Sequence, residues 1–375
     1  MVFANNDFAL YLKRISILNY RNIAECDLQF SPKINCFLGR NGMGKTNLLD
    51  AVYYLSFCKS HLNPIDAQVV KHDAEFFMLQ GTFERQGSDE VISCSVKHRA
   101  KKRFKRNQKD YERLSDHIGF VPVVLVSPTD ADLVNEGSEC RRRFMDSTIS
   151  QYDKPYLEAL IRYNAALQNR NALLKAEVEP DAAMLDIYEE QMTIEAEYIF
   201  AKRTQFIADF VPIFQEFYGK IAHDGELVGL TYESHSQRGD LRQLLREVRS
   251  RDRILGYTTR GSHKDDLVLT LADFPMKRTG SQGQVKTFVV ALKLAQLVLL
   301  KRICGLTPIL LFDDIFDKLD SDRMQRIVQL VASDDFGQIF ITDTNSGHLD
   351  EILAQFGGEQ RLFNVVNGTI VENEQ

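Results

Sequence analysis

The apolar and polar positions along the chain open on two extended patterns. Leu10-Tyr11-Leu12-Lys13-Arg14-Ile15-Ser16-Ile17-Leu18 alternates loosely, and past the turn residues Tyr20-Arg21-Asn22 the segment from Ala24 to Phe30 alternates again, which predicts two strands. Ile34-Asn35-Cys36-Phe37-Leu38 is an apolar run of the kind found in short buried strands. The period then becomes helical, with Leu48, Leu49, Val52, Tyr53 and Leu55 on one stripe. Phe76 to Phe83 and Val91 to Val96 read as strands joined by the polar turn Gln86-Gly87-Ser88-Asp89, a small β-meander, and Phe120 to Val126 reads as a buried strand that ends at Ser127-Pro128.

Beyond that point the pattern changes character. From Asp132 to about Arg253 helix formers dominate, with Arg141-Arg142-Arg143-Phe144-Met145-Asp146 opening the first helical segment. Tyr156 to Lys175 and Ala183 to Phe217 are long helical patterns broken at Pro180, so an antiparallel pair is expected, an arm projecting from the first domain. Leu227 to Glu233 returns to strand, Leu241 to Leu255 reads as one basic amphipathic helix, and a polar loop from Thr258 to Asp266 precedes a strand at Leu267 to Leu271. His263 in that loop reads as a surface residue. Phe288, Ala291, Leu292, Ala295, Val298 and Leu299 mark another helix, and apolar strands run from Pro308 to Phe312 and from Gly337 to Thr344.

The chemistry enters at Gly39-Arg40-Asn41-Gly42-Met43-Gly44-Lys45-Thr46, which fits Gly-x-x-x-x-Gly-Lys-[Ser/Thr] between a buried strand and a helix start. Glycines there let backbone N–H groups wrap phosphate oxygens, the helix start adds a positive dipole end, and Lys45 adds a point charge. The Thr46 hydroxyl suits a magnesium ion. Later in the chain, Gly280-Ser281-Gln282-Gly283-Gln284 forms a second glycine-serine turn at a helix start, able to meet phosphate through backbone N–H groups and a hydroxyl. The strand after it ends in Asp313-Asp314, placed to hold hydrated magnesium and to orient or deprotonate an attacking water, respectively.

Composition adds bounds. At 375 residues the chain exceeds the usual single domain, and 44% hydrophobic content supplies a sizeable core. The net charge of −6 leaves nucleic-acid binding to local patches. One such patch is the basic run Lys97 to Lys109, either a phosphate-neutralising surface or a solvated hairpin tip. Six scattered cysteines without metal spacing read as reduced thiols of a cytosolic protein. The N-terminus lacks the pattern of a signal peptide, and Lys293 and Gln296 interrupt the longest greasy stretch, so a cytoplasmic protein without a membrane span is expected.

Together, the phosphate loop, the serine-bearing turn and the carboxylate-ended strand resemble the ABC-type ATPases of the SMC and Rad50 group. Tyr20-Arg21-Asn22, Ser127-Pro128, Arg141-Arg142-Arg143-Phe144 and Gly261-Ser262-His263-Lys264-Asp265-Asp266 extend the resemblance. A short arm in place of a long coiled coil resembles the bacterial recombination mediators of that group. The resemblance implies an α/β fold: an ABC-type, Rad50-like head with a mixed sheet, and an inserted helical arm. The head would be built from residues 1–128 and 256–375, with the arm at 129–255. It implies ATP and Mg²⁺ as cofactors, with Arg21 and Asn22 joining Gly39 to Thr46 at the nucleotide, and Thr46 and Asp313 at the metal. Ser281, Gln282, Gly283 and Gln284 of a second copy would complete the site, making an ATP-dependent homodimer that closes on DNA. Asp317 to Asp320 would cross that interface.

The implied task is recombinational repair, replication-fork recovery and support of the SOS response. It is carried out on duplex DNA or at gap junctions with RecR, RecO and, downstream, RecA. The resemblance implies a DNA-stimulated ATPase, and two departures matter: ABC ATPases usually carry Glu where Asp314 stands, which implies weak hydrolysis, and no histidine stands near Thr342 to Thr344. Ser127 to Asp130 is the candidate segment for the loop that usually carries a glutamine. A nucleotide-gated scaffold, in which hydrolysis is incidental, is the alternative reading.

Overall fold

The computed structural model describes residues 10–97, 99–222, 225–316, 320–333, 335–347, 353 and 359–373. In chain order, β1 (Leu10–Tyr20) and β2 (Ile23–Gln29) form a hairpin, followed by β3 (Ile34–Leu38) and α1 (Lys45–Phe57). Next come β4 (Phe76–Arg85), β5 (Ser88–Lys97), β6 (Arg103–Arg106), β7 (Lys109–Asp110) and β8 (Val123–Val126). The middle of the chain holds the short helix α2 (Asp132–Asn135), α3 (Ser138–Ile149), α4 (Lys154–Lys175), α5 (Ala182–Ile221), β9 (Val228–Glu233), α6 (Leu241–Glu247) and α7 (Arg249–Leu255). It continues with β10 (Asp266–Leu271), β11 (Phe274–Pro275) and α8 (Met276–Thr279). The last part holds α9 (Gln282–Cys304), β12 (Ile309–Asp313), α10 (Ser321–Val331), β13 (Ile339–Asp343), β14 (Gln360–Val366) and β15 (Thr369–Glu372).

The chain divides into two compact units. The first takes the chain up to Asp130, Lys220–Ala222 and everything from Lys286 onward. It contains two six-stranded sheets, β2-β1-β4-β5-β6-β7, antiparallel throughout, and β15-β14-β3-β13-β12-β8, parallel except for β15. Strands β3, β8, β12 and β13 are almost wholly buried, the pattern of parallel strands covered on both faces. Helix α1 packs on strands of both sheets, which is why Leu48, Leu49, Ala51, Val52, Tyr54, Leu55 and Phe57 are all buried rather than confined to one stripe. Gln338 ties the sheets together, accepting from Leu12 N–H at 2.7 Å and donating to the carbonyls of Leu12 and Ser31 at 2.9 and 2.8 Å.

The second unit comprises Ala131–Gly219 and His223–Val285. Helices α4 and α5 form the expected pair, joined by Arg162 on Glu195 at 2.5 Å and by fully buried Arg170 on Glu189 at 3.0 Å. Three expectations are corrected here. Residues 256–285 fold with this unit, not with the head, because β10 pairs with β9 over six residues and Arg141 of α3 grips Asp266 with two hydrogen bonds. The unit is therefore not purely helical. The single helix expected over Leu241 to Leu255 is two, broken at Val248, which places Arg249 on Glu189 at 2.6 Å and Asp252 on Arg170 at 2.7 Å. His263 is half-buried and held in place rather than a free surface residue: its ring meets the Tyr163 hydroxyl at 2.8 Å and the Thr258 carbonyl at 3.0 Å, and burial pushes its pKa down to about 4. Among the described residues, no helix is long and apolar enough to cross a membrane.

Candidate nucleotide site

The loop from Gly39 to Gly44 connects β3 to the first residue of α1, so the N-terminus of that helix faces the loop's interior. Gly44 caps the helix at φ 117°, a left-handed conformation, and a Cβ there would lie 2.8 Å from Asn22 Oδ1. Only glycine meets both demands. Asn22 braces the loop: its Nδ2 donates to the Met43 carbonyl at 3.1 Å, and its Oδ1 accepts from Asn47 Nδ2 at 2.7 Å. The loop borders an open recess of about 130 Å³ lined by Asn41, Gly42, Gly44, Lys45, Thr46, Asn47 and Asp314.

Lys45 is buried, and its ammonium donates to the carbonyls of Gly39 at 2.5 Å and Arg40 at 3.2 Å. Burial lowers its pKa, while the nearby carboxylates Asp314, Asp313 and Asp343 act against that shift. The charge is therefore held at the loop and has oxygen partners that a phosphate can replace. Thr46 Oγ1 donates to Asp313 Oδ1 at 2.9 Å, which brings together the two residues expected at a metal. Burial raises the Asp313 pKa, opposed by hydrogen bonds from Thr342 and Thr46. A hydroxyl and a carboxylate converging beside a phosphate loop are a hard-oxygen donor pair. They suit Mg²⁺, which takes one or two protein oxygens and completes its shell with water and phosphate. No cluster of three or more His, Cys, Asp or Glu able to hold a metal occurs among the described residues, so the donor set stays sparse.

Sequence reasoning missed Thr342. Its Oγ1 donates to Asp313 Oδ1 at 2.8 Å and accepts from Asp314 N–H at 3.0 Å, so one hydroxyl orients both carboxylate residues. Asp314 itself sits at φ 49°, in the left-handed region that a non-glycine residue occupies only when its surroundings hold it there. The signal was present as a polar residue ending a strand, but its partner depends on β12 and β13 lying in register with Asp313 opposite Thr342.

The other expected residues divide. Arg21 places its guanidinium on Asp50 at 3.2 Å and on Ser60 at 3.1 Å, and Asp50 also accepts from the Tyr20 hydroxyl at 2.7 Å. The turn carrying Asn22 is thereby anchored on α1. Ser281 to Gln284 belong to the second unit, where Ser281 and Gln282 are exposed. Asp317 to Leu319, within the segment expected to cross a dimer interface, lie outside the described residues. Asp130, in the candidate glutamine-loop segment, is buried and paired with Lys293 at 2.7 Å, which explains the lysine that interrupts the apolar helix. Much of the basic run is neutralised locally: Lys102 meets Asp66 at 2.7 Å, Arg103 meets Asp110 at 2.9 Å and Arg106 meets Glu90 at 2.6 Å. Arg99, Lys101 and Lys109 remain exposed.

Comparison with known proteins places this geometry. The family described as RecF/RecN/SMC N terminal domain matches residues 11–362. The DNA replication and repair protein RecF of Phocaeicola vulgatus is 58% identical over 368 residues, 98% of this chain and 99% of that protein. RecF of Bacteroides fragilis is likewise 58% identical, over 367 residues, with 98% and 99% covered. Among solved structures, the recombination mediator protein RecF with ATP, in the RecFOR pathway, aligns with a TM-score of 0.86 at 27% identity, covering 98% of this chain and all of that one. The Smc head domain of Pyrococcus furiosus aligns with a TM-score of 0.58 at 16% identity over 97% of this chain and 96% of that one, a likeness of fold alone.

Proposed function

The chain belongs to the RecF family of DNA replication and repair proteins, with an ABC-type ATPase head, and from that premise we propose that it is an ATP-driven clamp on DNA. ATP bound at Gly39 to Thr46 of one copy is completed by Ser281 to Gln284 of a second. The carrying observation is the Thr46 hydroxyl on Asp313, with the Lys45 ammonium held at the same loop by the Gly39 and Arg40 carbonyls. When bound, Mg²⁺ would supply charge neutralisation at the terminal phosphates, held by Thr46 and Asp313. Lys45 holds phosphate oxygens, the loop's N–H groups wrap them, and Asp314 orients the attacking water. Asp314 is one methylene shorter than glutamate and reaches that water less well, so turnover is slow and acts as a timer for opening. ATP binding supplies dimer interface, and hydrolysis withdraws it.

The clamp engages duplex DNA or its junction with a gap in the cytoplasm, assists RecR with RecO in loading RecA, and supports the SOS response. Family membership supports this task.

Light scattering with ATP and magnesium tests the reading. The wild type is expected to double its molar mass, Lys45→Met and Ser281→Arg to stay monomeric, and Asp314→Asn to remain dimeric longer. A monomer at saturating ATP would overturn the clamp. Asp314→Asn with full repair activity would favour a nucleotide-gated scaffold instead.

A further inference from the structure

The first turn of α9 is held from two directions. Within the turn, Ser281 N–H donates to Gln284 Oε1 at 2.8 Å and Gln284 N–H donates to Ser281 Oγ at 3.2 Å, a reciprocal capping box. Because the serine oxygen accepts in that box, its own proton is left to donate outward, and the residue is exposed. The same bonds fix the Gln284 amide. With Oε1 committed to Ser281, Nε2 donates to Glu226 Oε1 at 2.9 Å. The other oxygen of Glu226 accepts from the hydroxyl of Tyr218, a buried residue in the last turn of α5. One carboxylate therefore joins the end of a 40-residue helix to the start of a 23-residue one, and all four residues lie in the second unit. A negative charge beside a helix N-terminus is also favoured by the helix dipole. None of this is needed to build the phosphate loop, which lies in the first unit.

We propose that Glu226 is a positioning residue for the Ser281–Gln284 turn. It holds the Gln284 amide, which holds the Ser281 backbone and so aims the hydroxyl, and it ties that aim to the C-terminal end of α5. The inference rests on the reading that this turn completes the site of a second copy. Displacing the last turn of α5 would then be felt at Ser281, which makes the arm helix a control on dimer closure.

The test measures two quantities on the full chain: the ATP- and magnesium-dependent dimer dissociation constant by light scattering over a dilution series, and ADP affinity of the dilute monomer by fluorescence. Glu226→Ala should weaken the dimer at least about tenfold, the loss expected for one charge-assisted hydrogen bond. Its ADP affinity should stay at the wild-type value. Glu226→Gln, which can still accept from Gln284, should recover most of the loss, and Tyr218→Phe should weaken the dimer in the same direction by less. Parallel loss of ADP affinity and dimer in Glu226→Ala would mean a general folding defect and would overturn the positioning role. If Ser281→Arg abolishes the dimer while Glu226→Ala leaves it unchanged, the inference falls and the composite site stands. If Ser281→Arg still dimerises with ATP, the composite site falls, and the inference with it.

Discussion

Thr342 shows how much can rest on one hydroxyl. It is fully buried, spends its proton on Asp313 and takes one from the Asp314 backbone, so it sets both the carboxylate beside Thr46 and the strained residue after it. Partners that orient a metal ligand are typically worth about 10–100-fold in metal affinity or activity. Thr342→Val keeps the shape and removes the hydroxyl. It should raise the magnesium concentration needed for half-maximal hydrolysis and for tight ATP binding by that order, while Thr342→Ser stays near wild type. A valine variant with an unshifted magnesium titration would remove Thr342 from the site. In the sequence it was one polar residue among Thr342, Asp343 and Thr344, and nothing local separates them.

Elements carry the next layer, and α1 is held at both ends. Its first turn is the end proposed to bind phosphate. Near its other end, the Leu55 carbonyl meets His117 Nε2 at 2.6 Å, which requires that nitrogen to carry the proton. His117 Nδ1 then accepts from the Tyr111 hydroxyl at 3.0 Å. Burial pushes the imidazole down from 6.5 to about 4. Because the folded-state pKa is the lower one, the unfolded chain binds the proton first. The stability from neutral His117 is full above pH 6.5 and is lost as pH falls towards 4, by roughly 3 kcal/mol over that window. Thermal melting between pH 7 and 4 should show that slope, and His117→Gln should flatten it. An unchanged slope in the variant would assign the acid sensitivity to other groups.

At the scale of the whole molecule, the question is where an acidic protein of net charge −6 meets DNA. The run Lys97 to Lys109 was the sequence's candidate, yet Lys102, Arg103 and Arg106 are each paired with a carboxylate. Lys102 is mostly buried and also donates to the Cys58 carbonyl at 2.7 Å, so reversing its charge would damage the fold and confuse the test. Arg99→Glu, Lys101→Glu and Lys109→Glu avoid that. If the strip neutralises phosphates, the triple variant should bind duplex DNA more weakly and reduce the salt slope by about one for each phosphate left without its cation. Equal affinity and equal slope would leave the strip a solvated hairpin.

Some features of this protein were settled by residues adjacent in the chain. The phosphate loop needs closely spaced glycines, a lysine and a threonine between a strand and a helix. The carboxylate pair needs only the end of an apolar strand, and the Ser281–Gln284 capping box closes within one helical turn. These are local geometries, so eight, six and four consecutive residues suffice to specify them. What only the tertiary structure decided depends on which strand lies beside which and on helices that meet across long separations. Asp313 finds Thr342 through strand register, Lys293 finds Asp130 through packing, and Gln284 finds Glu226. The placement of residues 256–285 follows from β10 pairing with β9. The periodicity of side chains states which face of an element is buried, but not which neighbour buries it, and the positioning residues of this protein belong to that second kind of information.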